Sequence, residues 1–375
     1  MQLRKKNILF VAANMQKGGM ERQLSLLFEK YKKEEFEIHL ALFKNSIDYP
    51  ISAEIVIHDL HKKNKIDLLF TLRFMSLILR LKPVVIFSTI SGVNNYCQII
   101  GTLLSVPVIC SIRNSGKEVD YHVMKIINRL FPYRSLICNS YNAKKELLSC
   151  IPRISASRVK VIPNGVDVDR FRPLKTDVLK FKDNSLAIST KYKFLFVARI
   201  SPIKNHIYLM HAFEKLNNND AVLVFIGNIF DEEYYQECQK VHSRLKLKQN
   251  IFWEEAKNDI ESYYNWADCF VMPSLFEGCS NALLEAMACE LPAVVSEEAD
   301  KDGIIVNEIN GLRFSLENIN EAVECLNRMY ITNEKKTGLF GKNNRNKIIK
   351  NFSSGSLVTA NDETIKAMIN FDLDR

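Results

Sequence analysis

Phe270-Val271-Met272-Pro273-Ser274-Leu275-Phe276-Glu277-Gly278-Cys279-Ser280-Asn281-Ala282-Leu283-Leu284-Glu285-Ala286-Met287-Ala288-Cys289-Glu290-Leu291-Pro292 decides how this 375-residue chain folds. An apolar run stops at Pro273, and a short loop carries Glu277 and Gly278. A helical pattern then starts near Asn281 and reaches about Cys289, before Pro292. A short apolar strand, a loop and a helix in succession make half of a βαβ unit. The rhythm repeats along the chain. Candidate strands fall at 8–12, 37–42, 84–88, 106–111, 136–138 and 159–162, and again at 193–198, 222–227, 251–253, 269–272, 293–296 and 311–314. Nearly continuous apolar strands separated by helices predict parallel sheets covered on both faces. Two series predict two doubly wound α/β domains. The polar stretch 172–191, beside Pro163 and Pro173, reads as the joint. The expected division is 1–171, 172–355 and a final segment 356–375. Two such domains are expected to face each other across a cleft lined by the carboxyl ends of both sheets, where open α/β sheets bind ligands.

Composition narrows the function. Hydrophobic residues make up 47% and charged residues 25% of the chain, which excludes a disordered or collagen-like protein. No apolar run reaches the roughly 18 residues that span a bilayer. Arg4, Lys5 and Lys6 precede an apolar run at 8–13, but that run is too short for a signal-peptide core and no small-residue cleavage site follows. It reads as the first strand. Nine cysteines, an odd number with no CxxC pair, fit free buried thiols in a reducing cytoplasm better than disulfides or a zinc site. His39, His58, His206, His211 and His242 lack metal-ligand spacing and read as structural or surface residues.

The net charge of +8 is uneven: residues 1–175 hold 28 of the 51 Lys+Arg and 14 of the 43 Asp+Glu, leaving 23 against 29 in the remainder. A basic first half suits nucleic acid, an anionic membrane surface or a phosphorylated substrate. No aromatic–basic interleaving supports nucleic acid.

Three loops carry candidate chemistry. After the first strand, Asn14-Met15-Gln16-Lys17-Gly18-Gly19 leads into a helix. Two glycines let backbone approach a ligand, and a helix start can hold an anion. A plain strand-to-helix turn is the competing reading. After the first strand of the second series come Arg199 and Lys204, in a loop stiffened by Pro202. A planar fork and a point charge together suit a diphosphate. Two solvated surface cations are the alternative. Third, Glu277 lies above the helix that starts near Asn281, and Glu285 lies on its second turn. The N–H groups of that helix start suit phosphate oxygens. Carboxylates only accept hydrogen bonds and sugar hydroxyls donate them, so Glu285 suits a ribose and Glu277 a sugar. A helix-capping Glu277 and a solvated Glu285 remain as the other reading.

Taken in order, Gly18-Gly19-Met20-Glu21, Val161-Ile162-Pro163-Asn164-Gly165-Val166-Asp167, Arg199-x4-Lys204 and the E-x7-E pair Glu277/Glu285 resemble the retaining, nucleotide-sugar-dependent glycosyltransferases of family 4. The resemblance covers about 7–350. It implies the GT-B fold, two Rossmann-like doubly wound domains facing across a cleft, with the last helix, around 356–370, packing back on the first domain. It also implies roles. Gly18 and Gly19 face the donor diphosphate, and Arg199 and Lys204 neutralise it. Glu285 holds the ribose and Glu277 the donor sugar. The backbone of Gly278, Cys279, Ser280, Asn281 and Ala282 grips the sugar phosphate. Asn164, Gly165 and Val166 mark the crossing between domains. No metal or other cofactor is implied, because Arg199 and Lys204 supply the charge that a metal would. Many relatives carry a His after the strand at 108–112. Here Arg113 and Asn114 stand there, and a guanidinium at that place suits a donor or acceptor phosphate rather than base catalysis. The family's Gly-x-Gly is Gly227-Asn228-Ile229 here, and the glycine usual after the next strand is replaced within Trp253-Glu254-Glu255-Ala256.

The segments 88–95 and 111–114 resemble relatives that extend lipid-linked oligosaccharides or lipopolysaccharide with UDP-linked hexoses or N-acetylhexosamines. The implied partners are a UDP-sugar and a lipid-linked or polysaccharide acceptor, at the cytoplasmic face of an anionic membrane. The stretch 61–82, with Leu68, Leu69, Leu72 and Leu79 beside Arg73, Arg80 and Lys82, either lies on that membrane or packs on the sheet with snorkelling basic ends. Two other functions share the fold: a nucleotide-sugar epimerase, whose cleft carboxylate–His set has no counterpart here, and a non-catalytic partner subunit, against which intact Arg199, Lys204, Glu277 and Glu285 argue.

Overall fold

The computed structural model describes residues 5–16, 18–31, 35–64, 67–113, 119–174, 191–332 and 334–373. The chain forms two compact units. One comprises 1–165 with 354–375, and the other 166–353.

Among the described residues, the first unit holds a seven-stranded sheet. Its strands are β1 (Lys6–Ala12), β2 (Phe36–Leu42), β3 (Val56–Asp59), β4 (Val85–Ser88), β5 (Val108–Ile112), β6 (Ser135–Cys138) and β7 (Val159–Val161). Their order is β3-β2-β1-β4-β5-β6-β7 and every pairing is parallel. Because β1, β4, β5 and their neighbours are buried on both sides, the strands read as apolar runs. Phe70, Phe74, Cys97, Met124 and Leu147 bring four helices onto one face. Leu24, Leu27, Ile365 and Met368 bring helices Gly19–Lys30 and Ser354–Leu373 onto the other. The terminal helix is pinned there by the Tyr31 hydroxyl, which donates to Asp362 at 2.9 Å, and by Lys366, 3.4 Å from Glu35.

The second unit holds β8 (Tyr192–Val197), β9 (Ala221–Ile226), β10 (Ile251–Glu254), β11 (Cys269–Met272), β12 (Ala293–Ser296) and β13 (Gly311–Phe314), in the order β10-β9-β8-β11-β12-β13, again parallel throughout. In both sheets the winding reverses beside the first strand, between β1 and β4 and between β8 and β11. Ligands of open α/β sheets bind at such reversal points.

Three sequence expectations need correction. The chain passes from one unit to the other at Gly165/Val166, within the segment 164–166 that the resemblance implies, and not at 171/172 or within 172–191. Val166 donates its N–H to the Phe352 carbonyl at 2.8 Å, and both Val166 and Phe171 are buried in the second core. Most of the expected joint, 175–190, lies outside the described residues. The return to the first unit falls at Ser353/Ser354, where the last helix begins, rather than at 355/356. An unexpected strand, β3, forms an edge of the first sheet, and its His58 Nε2 lies 3.1 Å from His39 Nδ1. Burial holds both rings below the ordinary imidazole pKa, and each is a structural histidine.

All nine cysteines are free. Burial pushes the Cys110, Cys138, Cys289 and Cys325 thiols up to about 12, so these are packing residues rather than nucleophiles. Helix Leu68–Leu81 buries Phe70, Phe74, Leu77 and Ile78 against the first sheet, and Asp67 caps its start by accepting from the Phe70 N–H at 2.9 Å. Its opposite face is also apolar: Leu68, Leu69, Leu72 and Leu79 are 77%, 69%, 61% and 59% exposed. Both readings of 61–82 therefore retain a basis. Among the described residues no helix is long and apolar enough to cross a membrane.

Candidate active site

The loop that leaves β8 is built by its neighbour. Ala198 donates to the Ile226 carbonyl at 3.0 Å and Ile200 to the Asn228 carbonyl at 2.9 Å. The N–H groups of Phe230 and Asp231 return to the Ile200 carbonyl, each at 3.1 Å. The backbones at Ala198 and Gly227 approach so closely that a Cβ on Gly227 would collide with the Ala198 carbonyl oxygen. This zipper delivers Arg199 to the surface, where its guanidinium lies over the Phe230 ring at 4.3 Å. Such stacking fixes a cation while leaving its charge outward.

Pro202–Lys204 then forms a 3-10 turn that ends at Asn205, in left-handed backbone with φ 59°. Asn tolerates that region better than most residues. The turn clasps the loop that leaves β11. The Asn205 amide donates to the Pro273 carbonyl at 3.3 Å, and the Leu275 N–H donates to the Ile203 carbonyl at 2.8 Å. The Ser296 hydroxyl, at the end of β12, donates to the Ser274 carbonyl at 2.7 Å. Held from both sides, this loop sets the Glu277 carboxylate in direct contact with the Lys204 ammonium. The two loops belong to β8 and β11, the strands that flank the reversal point.

Ser280 caps helix Asn281–Ala288, its hydroxyl accepting from the Leu283 N–H at 3.4 Å. Gly278 to Ala282 therefore lead into a helix whose positive end opens at the same loop. Glu285, one turn on, is not the solvated helix residue of the alternative reading. It is 4% exposed, and its Oε2 accepts from the Tyr264 hydroxyl at 3.2 Å. Arg345 braces the far end of this helix, donating to the Ala288 carbonyl at 2.6 Å and to the Phe171 carbonyl at 3.0 Å. His206, just past Lys204, is enclosed by Phe196, Phe225 and Trp253. Burial, with Lys204 adding to it, lowers its pKa to about 3. It is a neutral core residue.

The first unit carries its candidates separately. Gly18 is the cap residue of helix Gly19–Lys30, in extended backbone, and a Cβ there would meet only the end of the Glu21 side chain. The fold itself places little demand for glycine at this turn. Arg113, just beyond β5, donates to Ser111 Oγ and to Asn164 Oδ1, both at 2.9 Å. The next residue, Gly165, is gripped by Gln23, which accepts from its N–H at 2.7 Å and donates to its carbonyl at 3.0 Å. The crossing segment is thus tied to the helix of the glycine loop. Asn114 lies outside the described residues. Ser88, Thr89 and Asn94, in the acceptor-like segment, are buried and serve the fold: Asn94 donates to the Ser111 carbonyl at 2.8 Å and Thr89 to the Val11 carbonyl at 3.1 Å.

Asn205, Tyr264, Ser296, Gln23 and Arg345 escaped the sequence reading. Their partners are 21 to 177 residues away, most of them main-chain atoms, and nothing local signals such pairings.

Two family models match the chain. One, described as glycosyl transferases group 1, matches 178–367, and the other, glycosyltransferase family 4, matches 17–170. The chain belongs to the group 1 glycosyl transferases. The match to this family covers every second-unit residue of the candidate site. Among curated relatives, this group 1 chain is 34% identical over 234 residues to the UDP-Gal:alpha-D-GlcNAc-diphosphoundecaprenol alpha-1,3-galactosyltransferase of Escherichia coli, covering 58% of this chain and 56% of that one. The match thus spans little more than half the length of that relative. It is 24% identical over 334 residues to the N-acetylgalactosamine-N,N'-diacetylbacillosaminyl-diphospho-undecaprenol 4-alpha-N-acetylgalactosaminyltransferase of Campylobacter jejuni, covering 83% of this chain and 87% of that one. Among solved structures, Anabaena Alr3699/HepE in complex with UDP and glucose superposes with a TM-score of 0.81 at 17% identity, covering 96% of this chain and 99% of that one. The fold is the double-Rossmann GT-B fold.

Proposed function

We propose that this group 1 chain is a retaining glycosyltransferase that moves a hexose or N-acetylhexosamine from a UDP-sugar to a lipid-linked or polysaccharide acceptor in surface glycan synthesis. The observation that carries the reading is the contact of Lys204 with Glu277 at the reversal point of the second sheet, with Arg199 on the same loop as Lys204 and a helix start beside Glu277. In this reading the diphosphate lies against Arg199, Lys204 and the N–H groups of 278–282. Glu285 accepts from the ribose and Glu277 from a hydroxyl of the sugar. When the bond from the sugar to the β-phosphate breaks, negative charge grows on that phosphate, where fixed cations stabilise the transition state more than the ground state. The acceptor oxygen bonds to the anomeric carbon on the leaving-group face, and its proton passes to the departing phosphate. Arg199 and Lys204 provide the charge for this step without a metal, so EDTA leaves the rate unchanged.

The UDP ligand of the Anabaena structure and the UDP-Gal donor of the E. coli relative support a uridine donor. The diphospho-undecaprenol acceptors of both curated relatives support a lipid-linked acceptor. In the first unit, Arg113 and Asn164 suit a phosphate of that acceptor. The exposed leucines of helix Leu68–Leu81, flanked by Arg73 and Arg80, support peripheral binding at the inner face of the membrane. The test is to incubate the purified chain with UDP-sugars and a polyprenyl-diphosphate-linked sugar. Release of UDP with an α-linked product from an α-configured donor is expected. Donor hydrolysis or epimerisation without transfer would contradict the reading.

A further inference from the structure

Glu285 takes an orienting hydrogen bond from a residue outside the family motifs recognised in the sequence. Tyr264 lies in helix Ile260–Trp266 and is 1% exposed. Phe171 and Phe270 pack against its ring in edge-on geometry, with centroids 6.1 and 6.2 Å away. A ring wedged between two others cannot swing, so its hydroxyl has a fixed position. That hydroxyl donates to Glu285 Oε2 at 3.2 Å. The terminal torsion of a glutamate is broad and nearly free. A hydrogen bond from an immobile donor restricts the rotation of the carboxylate, and thereby the direction in which it accepts from a ligand. It also offsets part of the cost of burying a charge.

We propose that Tyr264 is a positioning residue that gives the donor site its preference for ribose over deoxyribose, by holding the Glu285 carboxylate in the plane that the ribose hydroxyls require. The proposal rests on the reading of Glu285 as the ribose acceptor. A site built to hydrogen-bond a hydroxyl rejects the analogue lacking it only when its own polar group is held in place. Tyr264→Phe keeps the ring and its packing and removes only the donor.

Calorimetric titration with UDP and 2′-deoxy-UDP tests this in the wild type, Tyr264→Phe, Glu285→Gln and the double variant. The wild type is expected to favour UDP by about tenfold or more, the effect of one hydrogen bond to a charged group. Tyr264→Phe should weaken UDP by about five- to tenfold and leave 2′-deoxy-UDP nearly unchanged, so that the ratio collapses. The double variant should match Glu285→Gln alone. If Tyr264→Phe fails to fold, Phe171→Leu, which loosens the ring and keeps the hydroxyl, should lower the same ratio. An unchanged ratio in Tyr264→Phe, or equal weakening of both ligands, would overturn the proposal while the donor site stood. A wild type that binds UDP and 2′-deoxy-UDP alike would remove the ribose role of Glu285, and with it the proposal. A wild type that binds neither would overturn the donor reading itself.

Discussion

The Lys204 ammonium and the Glu277 carboxylate touch across two loops that belong to different strands, and their side chains are only 16% and 15% exposed. Shielding of this kind makes a pair more consequential than one at the surface, where ion pairs contribute little. A diphosphate sugar offers each partner a substitute: phosphate oxygens for the ammonium and a hydroxyl donor for the carboxylate. In the proposed function, donor binding is therefore an exchange of partners.

This exchange separates the two residues experimentally. Lys204→Ala should cost about a hundredfold in kcat/KM, in the range seen when one preorganised donor to a developing oxyanion is lost. Glu277→Gln should leave affinity for UDP intact or raised, since Lys204 loses its internal partner, yet weaken the UDP-sugar by about tenfold. Calorimetry with both ligands reads the difference. Equal loss for UDP and UDP-sugar in Glu277→Gln would take the sugar away from Glu277.

Gly227 sets where Arg199 stands. A side chain there meets the Ala198 carbonyl, which is backbone and cannot step aside. Gly227→Ala should lower stability by about 1–3 kcal/mol through overpacking and weaken donor binding together with it. A thermal midpoint and a UDP titration on the same sample check both. A variant with normal midpoint and normal affinity would mean that the β8 and β9 loops can part without consequence.

His206 predicts an acid limit. Its folded pKa of about 3 lies below the ordinary 6.5, so the folded state binds fewer protons than the unfolded one. Its contribution is full above about 6.5 and is lost progressively as pH falls toward 3; by pH 4.5 the loss from this one ring is about 2–3 kcal/mol. His39 and His58 act in the same direction. In urea titrations at pH 7.5 and 4.5, His206→Phe should show a smaller drop than the wild type. An identical drop would assign the acid sensitivity elsewhere.

The outer face of helix Leu68–Leu81 predicts lipid binding. Replacing Leu72 and Leu79 by Ser removes two exposed apolar side chains without touching the buried face. Binding to vesicles with anionic lipid should fall by about tenfold or more and should weaken further as salt is raised. Vesicle flotation at two salt concentrations measures it. Undiminished binding by the double variant would move the membrane contact to another surface.

Much of this was legible in the sequence because parallel strands are apolar on both faces and their carboxyl-end loops are punctuated. Pro273, Gly278 and Ser280 bracket Glu277, and Pro202 marks the turn that carries Lys204. The strand β3 was not legible. At the sheet edge Val56 and Ile57 remain exposed, at 42% and 38%, and His58 and Asp59 break the apolar pattern. The motif at 164–166 marked the crossing correctly, but the joint read from composition was displaced because polarity at 172–191 looked like a linker, whereas the burial of Val166 and Phe171 is a tertiary fact. Ser88 and Asn94, in the stretch 88–95 that resembles relatives acting on lipid-linked acceptors, are buried and bonded inside the fold. Buried polar residues that bond main chain carry no local mark to distinguish them from residues that bond substrate. Tyr264 shows the converse, a candidate-site residue hidden among helix aromatics until the fold brings it to Glu285.

Calorimetric titration of the full chain with UDP, GDP and ADP forms of glucose, galactose, GlcNAc and GalNAc, in EDTA, tests the central claim most directly. The account predicts saturable binding of a UDP-sugar, lost in Arg199→Ala and in Glu285→Ala. Binding of a sugar nucleotide that both variants retain, or no binding by the wild type across the panel, would contradict it.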